Sequence, residues 1–132
     1  MNIVNLKGYK VTAFNFKAEL TSGQQITLQN NCSYNVRYNK EGFCVGTMTC
    51  KLSDRDAPAK FFIEITVEGG FAYDSKIERE KIHVASFKEL FPCARSIVLS
   101  TTALFGITPV MIPPVDIEGQ NIYRIDASGL KQ

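Results

Sequence analysis

Residues 90–117 read LFPCARSIVLSTTALFGITPVMIPPVDI, and this stretch carries most of the information about the fold. Twenty consecutive residues between Arg95 and Asp116 carry no charge. A small domain tolerates such a run only when something covers it: its own core, a membrane, another subunit or a client polypeptide. Which of these four buries the uncharged run is the central functional question.

The sequence argues against burial of this run in a membrane as a spanning helix. A span needs about 20 predominantly apolar residues without a break, whereas serines and threonines dilute this run, and Gly106, Pro109 and the Pro113–Pro114 pair interrupt it. Because proline removes a backbone donor and clashes with the preceding turn, the helix is expected to end near Phe105. The N-terminus, MNIVNLKGYK, has no apolar run typical of a signal peptide. These features predict a cytoplasmic protein that does not contact a membrane.

The composition predicts one folded domain over residues 1–132. A chain of 132 residues with 45% hydrophobic and 21% charged residues is not disordered. Its net charge of +2 gives no strong attraction to nucleic acid. We therefore expect no nucleic-acid partner.

The reactive residues do not form a recognisable catalytic or metal-binding motif. The four cysteines, Cys32, Cys44, Cys50 and Cys93, include no C-x-x-C pair, and His83 is the one histidine, so zinc is poorly supported. Cys93 and His83 would be the one nucleophile–base pair to consider, without a third orienting group. No hydrolase, metalloprotease, P-loop or dinucleotide-binding motif occurs. We expect no enzyme activity, metal or cofactor.

The first half of the chain predicts β-strands, because apolar and polar residues alternate with a period of two. Turn signals separate the runs, and short connections between consecutive strands favour an antiparallel sheet with one covered face. The Gly69-Gly70 pair predicts a bulge or bend in the last run. The four runs are YKVTAFNFKAEL at 9–20, CSYNVRYN at 32–39, FCVGTMTCKL at 43–52 and FFIEITVEGGFAY at 61–73.

Helices are predicted after the strands. Ser86 and Glu89 have the spacing of a capping box, and apolar residues then recur at helical spacing as far as Phe105. Pro92 either kinks this helix or starts a second one at its first position. Asp116 is a candidate cap for a short C-terminal helix. Strands followed by helices predict an α+β fold.

The residues alone leave two interpretations of the apolar surface open. Several aromatic side chains and a Met-Ile-Pro segment adjoin the predicted sheet and helix. They form either the core together with a subunit interface, or an apolar groove for extended peptide. The aromatic residues concerned are Tyr34, Tyr38, Phe62, Phe71, Phe91 and Phe105.

Four segments resemble the SecB family of bacterial export chaperones. LFPCAR at 90–95 and IPPVDI at 112–117 are similar to that family's L-F-P-Y-A-R helix entry and its downstream L-A-P-V-[ND]-F motif. FFIEITVEGGF at 61–71 resembles a family strand that ends in G-x-F, and YNVRY at 34–38 resembles an alternating groove strand. The likeness covers residues 9–123.

The resemblance implies a four-stranded antiparallel sheet followed by two helices, with dimers pairing into a tetramer. It implies ATP-independent holding of unfolded or pre-secretory client polypeptides. Phe62 and Glu64 match positions that contact the motor ATPase SecA on the outer sheet face. Residues that would line the client groove are Val36, Tyr38, Phe71, Ile107, Val110, Ile112 and Ile117.

The chain departs from the family where SecA docks. Classical members are strongly acidic, whereas this chain has Ala13 and Lys17 at two positions where acids are expected. Binding to SecA is therefore expected to be weak. Some relatives act as solitary chaperones of antitoxins in toxin–antitoxin systems, which is one alternative. An oligomeric scaffold or a small-molecule binding protein without client-holding activity are the others.

Overall fold

A computed structural model describes residues 3–19, 26–40, 42–106, 110 and 112. The strands form one antiparallel sheet in the order β1-β4-β3-β2, so β1 and β2 are the edge strands. The predicted α+β class and four-stranded sheet are confirmed. The elements are β1 (Val4–Ala18), β2 (Leu28–Lys40), β3 (Phe43–Asp54), β4 (Phe61–Tyr73) and α1 (Arg79–Leu104).

The described residues contain one helix, and it begins earlier than predicted. The capping-box prediction is wrong, because α1 begins at Arg79 and Ser86 lies buried inside it. Pro92 neither ends α1 nor starts a second helix. It lies on the exposed side, where water can satisfy the carbonyl that loses its partner. The short helix expected after Asp116 lies outside the described residues.

The helix ends where the prolines and glycine predicted. Leu104 is its last residue, and Gly106 follows with a φ of 84°. That left-handed conformation strongly favours glycine and closes a helix C-terminus.

One face of the sheet is buried beneath α1, as the alternation predicts. Cys44 and Cys50 share this face, since they pair with Phe71 and Ile65 of β4. The buried side chains come from every element that touches the face, and the apolar stripe of α1 closes the core. Its main members are Met48, Leu52, Phe61, Ile63, Ile65, Val67, Ile82, Phe87, Leu90, Ala94 and Val98.

Two paired glycines let the core close tightly. Gly46 of β3 lies opposite Gly69 of β4, and a Cβ on Gly69 would approach Leu90 Cδ1 to 2.9 Å. A Cβ on Gly46 would overlap the ring of Tyr34. These positions therefore need glycine because neighbouring side chains cross directly over the backbone.

The predicted bulge in β4 is wrong: the extra residues lie on β1. Strand β4 continues through Gly69 and Gly70, whereas the β1–β4 register shifts between Leu6 and Gly8 and between Val11 and Ala13. Each shift gives β1 one unpaired residue and changes which of its side chains face α1.

Candidate functional site

Val36 and Tyr38, two of the predicted client-binding residues, lie on edge strand β2 near the start of α1. Both are partly buried against the core. The Tyr38 hydroxyl donates to the carbonyl oxygen of Arg79 at 3.3 Å, and the Arg79 guanidinium lies 4.1 Å from the Tyr38 ring centroid. Burial raises the pKa of Tyr38, so this end of the surface presents a neutral phenol.

Val110 and Ile112 lie at the other end of α1. The Val110 amide donates to Thr102 Oγ1 at 2.9 Å, and Arg95 Nε donates to the Ile112 carbonyl oxygen at 2.8 Å. Ile112 is fully buried. The chain after the helix is therefore fastened back onto α1 by two side-chain hydrogen bonds.

These two groups are too far apart to form one compact pocket. Arg79 and Arg95 are 16 residues apart on α1, which is about 24 Å at 1.5 Å per residue. A ligand that spans this length must therefore be elongated, and about seven residues of extended peptide cover it. Of the second group such a ligand could contact Val110, which is partly buried, but not Ile112, which is completely buried.

The three other predicted client-binding residues are either buried or outside the described part of the chain. Phe71 is completely buried beneath α1, so it supports the surface from below and is not accessible from outside. Ile107 and Ile117 lie outside the described residues.

The predicted partner-binding residues, Phe62 and Glu64, lie on the sheet face away from α1. Lys51 Nζ is 5.5 Å from the Phe62 ring centroid, and Lys51 pairs across the strands with Glu64. Lys17 pairs with Phe62, and Asn15 Nδ2 donates to Glu64 Oε1 at 3.5 Å. Lysines and an amide thus surround the carboxylate, so this face is not an acidic surface.

Five large apolar side chains are exposed in the described residues, and none of them is among the predicted client-binding residues. One is Leu28 on β2, at 38%, and the other four lie on β1 or at the end of α1. Tyr9 and Val11 on β1 are 49% and 41% exposed, and Leu104 and Phe105 at the end of α1 are 84% and 49% exposed. We call these four residues the β1 patch. The Phe105 ring lies 4.7 Å from that of Phe16, which places the end of α1 beside β1.

The helix therefore crosses the sheet diagonally. It begins beside β2, where Tyr38 contacts Arg79 and the Tyr34 hydroxyl donates to Ser86 Oγ at 2.6 Å. It ends beside β1, where Phe105 contacts Phe16. A diagonal helix cannot cover both edge strands along their whole length, so each keeps exposed apolar side chains on its helix side.

The buried polar groups have structural roles. Ser86 Oγ donates to the His83 carbonyl oxygen at 3.1 Å and accepts from Tyr34. Burial raises the pKa of Tyr34 and lowers that of His83.

The candidate nucleophile–base pair is not brought together by the fold. Ten residues of helix, about 15 Å, separate His83 from Cys93. The pair is too far apart for a catalytic dyad.

In the described part of the chain, no helix is long and apolar enough to cross a membrane. Within the same residues, no three His, Cys, Asp or Glu side chains gather as metal ligands would.

Arg95 is the charged residue that the sequence places in an otherwise uncharged helical stretch, and its contact predicts a structural role. We expect Arg95→Ala to lower the free energy of unfolding by about 2 kcal/mol, because a charge-assisted hydrogen bond to a partly buried carbonyl is lost. Arg55→Ala, at an exposed arginine, is the control and should change it by less than about 0.5 kcal/mol. A thermal melt and a mass measurement test this. Unchanged stability and assembly, with function lost, would show that Arg95 acts directly.

No protein-family model matches the chain, and no curated protein sequence matches it significantly. Among solved structures, it is similar to the Mycobacterium tuberculosis SecB-like chaperone in complex with a ChAD peptide from the HigA1 antitoxin. The TM-score is 0.66 at 15% identity, with 84% of this chain and 90% of that chain covered. The chain therefore has a SecB-like fold, as its four short segments predicted.

Proposed function

We propose that this protein is an ATP-independent holdase chaperone that binds unfolded or pre-secretory polypeptides in an extended conformation. The observation that carries the proposal is the diagonal helix. It leaves apolar side chains of both edge strands exposed or only partly covered, among them Tyr9 and Val11 on β1 and Val36 and Tyr38 on β2. An extended chain can lay alternate side chains against such a surface, with little demand on its sequence.

The energetics fit transient holding. A contact that buries about 600 Å² of apolar surface is worth about 15 kcal/mol before costs, at 25 cal/mol per Å². Ordering the client and losing its translational freedom remove about half of this or more. Affinity in the micromolar range follows, and several sites on one oligomer raise it through effective concentration.

An antitoxin is the second candidate client. The similar Mycobacterium chaperone was solved with an antitoxin peptide, and the lysines beside Phe62 and Glu64 do not make an acidic docking face for SecA. We therefore propose that binding to SecA is weak and that the protein works in the cytoplasm either as a general holdase or for a dedicated antitoxin.

The test measures whether the protein suppresses the aggregation of an unfolded, reduced substrate protein. The two proteins are mixed near a stoichiometric ratio, without nucleotide. We expect suppression by the parent protein. A Val36→Asp/Tyr38→Asp variant should lose at least about tenfold in client affinity, because each carboxylate must desolvate against the client. Asn35→Asp/Arg37→Asp, on the same strand but in exposed positions, is the matched control. Equal activity of the parent and the first variant would place the client site elsewhere, and no suppression by the parent would overturn the function.

We also propose that the protein is a homo-oligomer, most simply a tetramer. The β1 patch supports this. Leu104 is 84% exposed in the single chain, and apolar side chains this exposed are often buried against another subunit. Light scattering should give a multiple of 14.7 kDa. Leu104→Asp should shift the mass to a smaller species, whereas Lys81→Glu, at an exposed position in the first turn of α1, should not. A monomeric parent at micromolar concentration would contradict the proposal.

A further inference from the structure

Cys32 and Cys50 face each other across the two outermost strands on one side of the sheet. They are directly paired in the β2–β3 register, and their Sγ atoms are 2.7 Å apart. Both thiols are free and buried, with 1% of each residue exposed. Opposite residues of antiparallel strands have Cα atoms about 4.5 to 5.5 Å apart, inside the range that a disulfide spans.

We propose that these two thiols are an oxidation site, at which a hydroperoxide converts them into a reversible disulfide between β2 and β3. One sulfur attacks hydrogen peroxide, so that an S–O bond forms, the O–O bond breaks and water leaves. The second sulfur then attacks the resulting sulfenic acid, so that the S–S bond forms and a second water leaves. Two thiols and one peroxide thus give one disulfide and two waters, and an added dithiol reverses the reaction.

The fold selects this pair among the four cysteines. Cys44 and Cys50 are six residues apart on the same face of β3, which is about 20 Å in an extended strand. Cys93 is on α1, and its thiol interacts with Tyr9 of β1. In an unfolded chain the preferred disulfide is a different one. The loop between Cys44 and Cys50 is the shortest, so this pair closes most readily.

The position on an edge strand explains how an oxidant gains access. In the closed sheet, the hydrogen bond with Cys32 and burial both raise the pKa of Cys50, so the thiolate is scarce. Within the described residues, strand β2 has a neighbouring strand on one side only, and local opening at an edge costs less than global unfolding. Oxidation then closes a loop of 18 residues and prevents β2 from separating again. This inference does not depend on the holdase proposal.

The experiment treats reduced protein with hydrogen peroxide, in native buffer and in urea. Free thiols are blocked before a tryptic digest without reductant. Cys32 falls in the peptide 18–37, and Cys44 and Cys50 fall in 41–51. Fragmentation of peptide 41–51 between Cys44 and Cys50 shows which of these two cysteines is linked to Cys32. In native buffer we expect the Cys32–Cys50 linkage to exceed any other by at least tenfold, with Cys44–Cys50 prevailing in urea.

Variants and hydrogen exchange complete the test. Cys93→Ser should leave the linkage intact, and Cys32→Ser should abolish it. In the oxidised parent, amides of β2 should exchange about tenfold more slowly than in the reduced parent, with those of β1 unchanged and dithiothreitol restoring the original rates. The proposal is overturned if native oxidation modifies Cys93 while Cys32 and Cys50 stay reduced, if Cys44 takes the linkage, or if β2 exchange is unaffected.

Discussion

Replacing Gly46 with alanine is expected to lower the free energy of unfolding by about 3 kcal/mol. The new methyl group would occupy space that the Tyr34 ring fills, and that ring cannot move without losing its hydrogen bond to Ser86. Overpacking a dense core costs about 1 to 3 kcal/mol, and leaving a buried hydroxyl unpaired costs about 1 to 3 more. Urea unfolding followed by circular dichroism measures the effect.

Gly8 provides the matched control, because a Cβ there would meet no atom within 4 Å. Gly8→Ala should change stability by no more than about 0.5 kcal/mol, and the reduced freedom of the unfolded chain acts in its favour. Tyr34→Leu in the Gly46→Ala background should recover part of the loss, since the smaller side chain frees space above Gly46. Additive effects of the two substitutions would mean that they do not share this contact.

Replacing Ile112 with aspartate is expected to have a larger effect, about 4 kcal/mol. Ile112 is completely buried, so the change removes apolar contacts and forces a carboxylate out of water. Because Ile112 is buried, aspartate here would report on folding and not on client binding, whereas Val36 and Tyr38 are only partly buried.

Two milder substitutions show whether burial causes this effect. Ile112→Val should cost about 1 kcal/mol, the usual cost of deleting one buried methylene. Val110→Asp should cost less than Ile112→Asp, because Val110 is only partly buried. If Ile112→Asp melts at the parent's temperature, the segment after α1 does not pack on the helix in solution.

The alternation of β3 and β4 could be predicted from sequence because both strands lie inside the sheet. Each has a partner on both sides, so a period of two runs uninterrupted from Cys44 to Leu52 and from Phe61 to Val67. In β1 the alternation is interrupted. Phe14 and Phe16 lie on the helix side of the sheet, but the bulge at Thr12 changes the parity before them. Tyr9 and Val11 therefore face the helix too, and their place in an exposed patch was missed.

The start of α1 at Arg79 differs from the predicted start at Ser86 for another reason. Local capping preferences are worth about 1 kcal/mol, and the pattern at Ser86 and Glu89 fits a helix start. Tertiary contacts override it, since Ser86 bonds Tyr34 of β2 and Ile82 is already part of the core. Only the packing of helix on sheet reveals that the charged residues before Ile82 belong to the helix.

The class of fold, the order of the strands along the chain and the end of the helix could all be predicted from sequence, since each depends on local periodicity, proline or glycine. The arrangement of the site depends instead on tertiary packing. The diagonal path of α1, the burial of Ile112 beside Arg95 and the meeting of Cys32 with Cys50 all join residues that are distant in the chain. Such contacts depend on how the helix and the strands pack together, and local sequence patterns do not specify that packing.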